Sequence, residues 1–170
     1  MSDIKLLLNA DQVELKIQRL SNELAERYFN VRQLYIFGIE GQGYKLAERI
    51  SKELKQYLRK EIVLNQLHIN KQKPIGSVKI GEKLLKSLEN KDVLIIDDVL
   101  NSGKTLFYAL QPFLGINLNS LRVLVLVNRS HQQFPVYPDF VGLTLSTTYQ
   151  NHIEACLDKK SNSQVYLLNK

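Results

Sequence analysis

Two patterns of hydrophobic positions alternate along this chain. In the first, apolar residues recur every three or four positions, which predicts helices at residues 13–28, with Asp11 as the expected N-cap, and at 44–57, 84–88 and 103–114. In the second, apolar residues stand in short runs, which predict buried strands at 34–39, 62–69, 93–96, 121–127, 140–145 and 165–168. This alternation predicts an α/β fold in which a mainly parallel central sheet carries helices on both faces.

Ligands of such a sheet bind beyond the carboxyl ends of its strands. Three of the predicted strands end in polar or glycine-rich turns, at residues 40–43, 97–105 and 128–131. Because the carboxyl ends of parallel strands meet at one edge of the sheet, we expect these three turns to lie side by side.

The turn at residues 97–105 has the most specific chemistry in the chain. A buried strand delivers two adjacent carboxylates, Asp97 and Asp98, and a turn containing Ser102, Gly103 and Thr105 then leads into a helix. Free backbone N–H groups at such a turn suit a phosphate, the two hydroxyls add donors, and the glycine permits close approach. The carboxylates would repel a phosphate, so they make sense as partners of sugar hydroxyls or of Mg²⁺.

Two other motifs share part of this segment and are excluded. A P-loop also ends in Gly-Lys-Thr, but it requires a glycine where Asp98 stands. A phospho-receiver domain also begins with an apolar strand and two acids, but it needs more than the 73 residues that follow Asp97. An acid pair between an apolar strand and a hydroxyl-rich turn is unfavourable in a loop that binds nothing. A binding site is therefore favoured over a purely structural loop.

Length and composition limit the class of protein. The 170 residues, of which 44% are hydrophobic and 24% charged, are expected to form a single domain spanning residues 1–170. Cys156 is the only cysteine, which excludes an internal disulfide and a cysteine metal cluster and favours a reducing, cytoplasmic setting. No apolar run approaches the roughly 18 residues of a membrane helix, so no membrane partner is expected.

The net charge of +6 is concentrated in one part of the chain. Residues 49–91 hold eleven Lys or Arg against four Asp or Glu, whereas the other 127 residues hold twelve against thirteen. This basic segment indicates an anionic partner, although charge alone does not distinguish RNA from a small polyanion in a cleft.

Residues 93–105 resemble the phosphoribosyl pyrophosphate (PRPP) motif of type I phosphoribosyltransferases: four apolar residues, two acids, and a turn ending in Ser-Gly-Lys-Thr. Two further segments are similar to the family of bifunctional pyrimidine operon attenuation regulators and uracil phosphoribosyltransferases. They are residues 8–46, with Tyr-Ile-Phe-Gly-Ile at 35–39, and residues 124–142, with Asn-Arg-Ser-His-Gln-Gln-Phe-Pro at 128–135. The resemblance is weakest at 61–91, and it implies a type I phosphoribosyltransferase fold with a small hood.

The resemblance also implies a role for each part of the site. Asp97 and Asp98 would be the catalytic acids and contact the ribose hydroxyls of PRPP, with Mg²⁺ bound mainly through PRPP and no separate metal site. The complete PRPP motif would be Asp97, Asp98, Val99, Leu100, Asn101, Ser102, Gly103, Lys104 and Thr105. The pyrophosphate loop would be Glu40, Gly41, Gln42 and Gly43. The base pocket would be bordered by Asn128, Arg129, His131 and Pro135.

The chain departs from this family in three places. The Thr-Arg-Gly of the family's pyrophosphate loop is Gly-Gln-Gly here, at 41–43. The flexible loop that closes over PRPP lacks the family's Tyr-Arg-Asp-Asp-like string, and Lys71 and Lys73 are the cations available in its place. Asn128 stands where the family often has Asp. The phosphate-binding motif is thus complete, while the leaving-group positions have changed.

Three functions remain open. The resemblance implies an enzyme that transfers phosphoribose from PRPP to a nucleobase, by resemblance uracil, and releases pyrophosphate. The departures favour, as an alternative, a PRPP- or nucleotide-binding regulator with little turnover. The third function, an RNA-binding attenuation regulator with or without enzymatic activity, is less favoured. The chain has no RNA-module signature and is nearly neutral outside the basic segment, so RNA is a less favoured partner. A homodimer is expected from the resemblance alone.

Four other residues are not assigned to the site. His68 is expected to be an ordinary strand residue, and His152 has no assigned role. Tyr44 and Tyr149 are expected to pack in the core or in an interface rather than to stack on a base.

Overall fold

The computed structural model describes residues 4–146 and 151–169, so Tyr149 lies outside the described residues. The helices are α1 Ala10–Arg27, α2 Gln42–Tyr57, α3 Glu82–Ser87 and α4 Lys104–Ala109. The strands are β1 Ile4–Leu8, β2 Gln33–Ile39, β3 Glu61–Leu67, β4 Asp92–Leu100, β5 Ser120–Arg129, β6 Phe140–Leu145, β7 Asn151–Cys156 and β8 Gln164–Asn169.

The predicted parallel sheet is confirmed. Five strands pair in the order β3-β2-β4-β5-β6, and every pairing is parallel. Alternate residues of the inner strands enter two separate cores: Ile36 and Leu94 pack with α1 and α2, whereas Phe37 and Ile95 pack with residues of α3 and α4. Because both faces are covered, the strands read as near-continuous apolar runs.

The hood is a second sheet of three antiparallel strands, in the order β1-β8-β7. Its inner residues, which include Ile153, Leu157 and Val165, share the core of α1 and α2. The hydrophobic pattern does not predict β1 or β7. It also does not predict that β1, near the start of the chain, pairs with β8 near its end to build the hood.

Several predicted boundaries are wrong, and three of them have a clear physical reason. The N-cap of α1 is Asn9 rather than Asp11, because the side chains of Asn9 and Gln12 form a reciprocal capping box. Helix α4 ends at Ala109 instead of Leu114, and a short 3₁₀ turn containing Pro112 follows. Strand β4 does not end before the acid pair but continues to Leu100, because it pairs with β5 beyond that point.

Neighbouring strands β2, β4 and β5 place the three polar turns at one edge of the sheet, as predicted. Within residues 4–146 and 151–169, no helix combines the length and the apolar character needed to cross a membrane.

Candidate functional site

The acid pair lies within β4, near its carboxyl end. Asp97 is 4% exposed, and its Oδ1 atom accepts a hydrogen bond of 3.0 Å from the backbone N–H of Asp98. Burial holds the pKa of Asp97 well above the ordinary aspartate value of 3.8, and the neighbouring Asp98 carboxylate raises it further. Asp98 is only half-buried. The pair therefore consists of one carboxyl group that resists ionisation and one that reaches solvent.

The start of α2 packs directly on Asp97. An ideal Cβ at Gly43 would lie 2.7 Å from Asp97 Oδ1 and 3.1 Å from its Cα atom. The glycine therefore permits a contact that any side chain would block. Through it the expected pyrophosphate loop and the acid pair lie side by side.

The turn after β4 is shaped for an anion. Gly103 has a φ of +83°, in the left-handed region that favours glycine, and Ser102 Oγ accepts a hydrogen bond of 3.3 Å from the Lys104 N–H. Helix α4 begins at Lys104, so the N–H groups of its first turn have no partner within the helix. The buried Oδ1 atom of Asn101 has no hydrogen-bond partner among the described residues. The turn thus offers free donors and one acceptor that a ligand hydroxyl would satisfy.

A cavity of about 390 Å³ opens beside this turn. Its walls include every residue from Asp97 to Thr105, which is the whole predicted PRPP motif, together with Lys71 of the loop after β3. Strand β7 of the hood also lines this cavity. Its lining residues are His152, Ile153, Glu154 and Ala155.

The two lysines of the expected flexible loop are placed differently. Lys71 lines the cavity, and its positive charge partly offsets the raised pKa of Asp97. Lys73 does not line this cavity. Asn70 shapes the loop, since its Oδ1 atom accepts hydrogen bonds of 3.0 Å from the N–H groups of Gln72 and Lys73. Of the two cations, the structure brings only Lys71 to the acid pair.

In the expected pyrophosphate loop, two side chains have partners outside the cavity. Glu40 Oε2 lies 3.1 Å from Nδ1 of His68, and both side chains are more than half exposed. Gln42, the first residue of α2, accepts a hydrogen bond of 2.6 Å from the buried N–H of Leu157. Gly41 has a φ of +94°, which a non-glycine residue would adopt only with strain.

The residues expected around the base lie on β5 and on the segment after it. Asn128 Oδ1 accepts a hydrogen bond of 2.7 Å from Gln132, and the His131 N–H donates to the carbonyl of Arg129. The segment continues through Pro135, and its residues 133 and 134 donate their N–H groups to the Ser102 carbonyl at 2.8 and 3.1 Å. The segment thus supports the phosphate-binding turn, but Asn128, Arg129, His131 and Pro135 do not line the cavity described above.

Sequence reasoning missed the contribution of the hood strand β7. No role was assigned to His152, yet it lines the cavity, and its Nε2 atom lies 3.9 Å from Glu154 Oε1. Strand β7 is only six residues long, and its polar and apolar residues alternate too briefly to give a clear strand signal.

Metal binding by the protein alone is not supported in the described part of the chain. No group of three or more His, Cys, Asp or Glu side chains within residues 4–146 and 151–169 has the arrangement to hold a metal ion. The two carboxylates at the cavity suit Mg²⁺ in another way, because this ion is commonly bound by one or two carboxylates together with substrate phosphates. The donor set therefore fits an ion that arrives with a phosphorylated ligand.

Together these features can bind a phosphorylated sugar. The turn provides N–H donors for a phosphate, the acid pair provides acceptors for hydroxyls, and Lys71 provides a cation for further negative charge.

Residues 3–160 match the family model of the phosphoribosyl transferase domain. The Bifunctional protein PyrR of Pediococcus pentosaceus is 30% identical over 174 residues, which cover 96% of this chain and 98% of that protein. The protein of the same name from Actinobacillus pleuropneumoniae is 26% identical and covers 88% of each chain.

Solved structures show the same fold. The hypoxanthine phosphoribosyltransferase of Trypanosoma cruzi superposes with a TM-score of 0.77 at 15% identity, over 97% of this chain and 96% of that one. A hypoxanthine-guanine phosphoribosyltransferase from Bacillus anthracis gives a TM-score of 0.71 at 15% identity, over 99% of each chain.

Proposed function

Because this chain belongs to the phosphoribosyl transferase domain family, we propose that it transfers the 5-phosphoribosyl group of PRPP to a nucleobase and releases pyrophosphate. The observation that carries this proposal is the cavity of about 390 Å³. The full segment from Asp97 to Thr105 lines one side of it, and Lys71 reaches it from another loop. Uracil is the base we propose, on the resemblance of residues 8–46 and 124–142 to uracil-transferring enzymes.

In this proposal each part of the cavity binds one part of PRPP. The 5′-phosphate accepts hydrogen bonds from the N–H groups of residues 101–103 and of Thr105 at the start of α4. The ribose hydroxyls donate to the acid pair, and one of them satisfies the unpartnered Oδ1 atom of Asn101. Lys71 compensates the charge of the pyrophosphate. Bound Mg²⁺ would neutralise negative charge that develops on the leaving pyrophosphate.

The protein has little covalent chemistry to perform in such a transfer. Its task is to hold the sugar and the base in line and to exclude water while the bond to pyrophosphate breaks. The burial of Asp97 and the contribution of β7 to the cavity lining suit that task.

A regulator that binds PRPP with little turnover is the second candidate. One observation favours it: Gln42 occupies the position where the family has an arginine, and its side chain is bonded to Leu157. If no other cation replaces this arginine, stabilisation of the departing pyrophosphate is weaker, while the binding of the 5′-phosphate is intact.

Thermal melting with PRPP and Mg²⁺, followed by an assay for pyrophosphate release, tests both candidates. Ligand at about 100 times its Kd should add about 2.7 kcal/mol to the free energy of unfolding. Nucleotide formation with uracil, but not with hypoxanthine or guanine, is the expected result. A melting shift without pyrophosphate release for any base would favour the regulator, and no shift at millimolar PRPP would exclude both candidates.

The substitution Asp98→Asn tests whether PRPP binds in this cavity. It removes the charge of the half-buried acid and should abolish the shift caused by PRPP without unfolding the protein. A retained shift would mean that PRPP binds elsewhere.

A further inference from the structure

The side chain of Gln42 joins the expected pyrophosphate loop to the hood. Gln42 is the first residue of α2, and Leu157 directly follows β7. The 2.6 Å hydrogen bond between Gln42 Oε1 and the Leu157 N–H spans 115 positions of the sequence. Leu157 is 2% exposed, so without this acceptor its N–H group would be left unsatisfied in the core.

Two more residues on the same side of α2 reach the same part of the hood. Gln42, Lys45 and Arg49 are spaced three and four positions apart, which places them on one helix face. Lys45 forms an ion pair with Asp158, and Arg49 Nη1 donates a hydrogen bond of 2.8 Å to the fully buried Ser163. Helix α2 is therefore attached at three points to residues 157–163, which connect β7 to β8.

A carboxylate on α1 completes the attachment. Glu14 accepts from Arg49 Nη2 and from Lys160 Nζ, both at 2.7 Å, and its side chain is 18% exposed. Residues 157–163 are thus held by both helices that cover this face of the central sheet.

Strand β7, which these contacts fix, is also a wall of the cavity. Its residues from His152 to Ala155 line the same cavity as the acid pair and the phosphate-binding turn. Leu157 is only one residue beyond the end of β7. The bond from Gln42 therefore sets the position of this wall relative to the start of α2, where Gly43 touches Asp97.

The hydrogen bond to Leu157 requires an acceptor at position 42, which arginine would not provide. Leu157 presents an N–H donor, and a glutamine carbonyl oxygen can accept from it. Arginine has five donors and no acceptor, so it cannot make this bond. The departure from the family at position 42 thus removes a cation and introduces an acceptor.

We propose that Gln42 is a positioning residue, which holds β7 in place as part of the cavity lining through Leu157 and does not itself bind pyrophosphate. This inference rests on the proposed function, in which residues 97–105 and Lys71 bind PRPP, so that β7 is the part of the lining left for the base. Loss of the attachment should therefore affect the base more than PRPP.

The test compares the wild type with Gln42→Met. Methionine keeps the length of the side chain but offers the Leu157 N–H only a weak sulfur acceptor in place of the amide oxygen. The KM for the base should rise about fivefold, the equivalent of one ordinary hydrogen bond. The value of kcat at saturating base and the Kd of pyrophosphate should stay within about twofold. Amide exchange of Leu157 and of β7, measured without ligand, should become severalfold faster.

Asn119→Ala is the matched control. Asn119 donates to both oxygens of Asp92 at 2.9 Å. This contact lies at the amino end of β4, whereas the site lies near its carboxyl end, so the loss of Asn119 destabilises the protein away from the hood. It should leave the KM for the base and the exchange of Leu157 unchanged.

Two results would overturn the inference: unchanged exchange of Leu157 in Gln42→Met, or weaker pyrophosphate binding with an unchanged KM for the base. Failure of the proposed function is distinguishable, because it would show as absent PRPP binding in the wild type. The exchange measurement needs no ligand, and it would still decide whether Gln42 holds β7.

Discussion

The Oδ1 atom of Asp97 occupies space that a side chain at Gly43 would need, since an ideal Cβ there would lie only 2.7 Å from it. This relationship couples two elements of the site. Gly43 belongs to the first turn of α2, and Asp97 belongs to β4. Neither can move far without the other, so the distance between the expected pyrophosphate loop and the acid pair is set by backbone packing.

The substitution Gly43→Ala should therefore damage the site and the fold together. The added methyl group must displace either the buried carboxyl of Asp97 or the start of α2, and overpacking of this kind costs about 1–3 kcal/mol. Chemical denaturation should show that loss of stability, and calorimetry should show weaker PRPP binding.

Gly115→Ala serves as the control, because a Cβ at Gly115 would meet nothing within 4 Å. It should change stability by less than about 0.5 kcal/mol and leave PRPP binding intact. Equal behaviour of the two variants would contradict the close packing of Gly43 on Asp97.

The two lysines of the loop after β3 can be compared in variants that have the same net charge. Lys71→Met should weaken PRPP binding by about tenfold, since Lys71 lines the cavity and a charge-assisted contact contributes roughly 1.5–3 kcal/mol. Lys73→Met removes the same charge from outside the cavity and should change the Kd of PRPP by less than about twofold. Equal losses in titration calorimetry would mean that only the general charge of the basic segment matters.

The central sheet could be predicted from the sequence because its strands are buried on both faces. Runs such as residues 93–96 carry apolar side chains toward two different cores, and they are easily recognised. The hood strands lack that signal. In β1, Ile4 and Leu6 are exposed, and in β7 the polar residues alternate with apolar ones over only six positions. The pairing of β1 with β8 also depends on contacts between distant parts of the chain.

The acid pair and the phosphate-binding turn could also be predicted, because they form one continuous segment with its own chemistry. The role of Gln42 could not, although the departure from the family at that position was visible. Its partner Leu157 is 115 positions away, and nothing near either residue indicates a contact. In the same way, Lys71 and Lys73 are equivalent in the sequence, and only the fold of the loop at Asn70 separates them.

The attachment of the hood should depend on pH through Glu14. Burial raises the pKa of this carboxyl, but hydrogen bonds from Lys160 and Arg49 and their charges outweigh that effect, so its pKa lies below the ordinary 4.5. A lowered pKa means that the stabilisation is present above the unfolded-state value and is lost as the pH falls through the folded-state pKa. Glu14→Gln should therefore cost about 1 kcal/mol at pH 7, after allowance for solvent screening. The difference should vanish in acid.

Urea denaturation from pH 3 to pH 8 would measure this difference. Glu53→Gln is a suitable control. Glu53 and Glu14 line one groove beside α2, but Glu53 forms no ion pair within residues 4–146 and 151–169. A constant difference between Glu14→Gln and the wild type across this range would contradict an ionic role for Glu14.

Asp97 should have the opposite dependence on pH. Burial and the neighbouring Asp98 raise its folded-state pKa above the ordinary 3.8. Its contribution to stability is therefore complete below that unfolded-state value and is lost as the pH rises through the raised pKa. Asp97→Asn removes this ionisation. The variant should therefore gain stability relative to the wild type as the pH rises, with a slope of up to about 1.4 kcal/mol per pH unit.

The gain should come at the expense of function, because Asp97→Asn should no longer bind PRPP. In Asp98→Asn, Asp97 loses the charge that adds to its raised pKa, so the dependence of stability on pH should become weaker without disappearing. Denaturation of the three proteins between pH 4 and pH 9 would separate these cases. A difference between Asp97→Asn and the wild type that does not change with pH would show that Asp97 ionises as an ordinary aspartate.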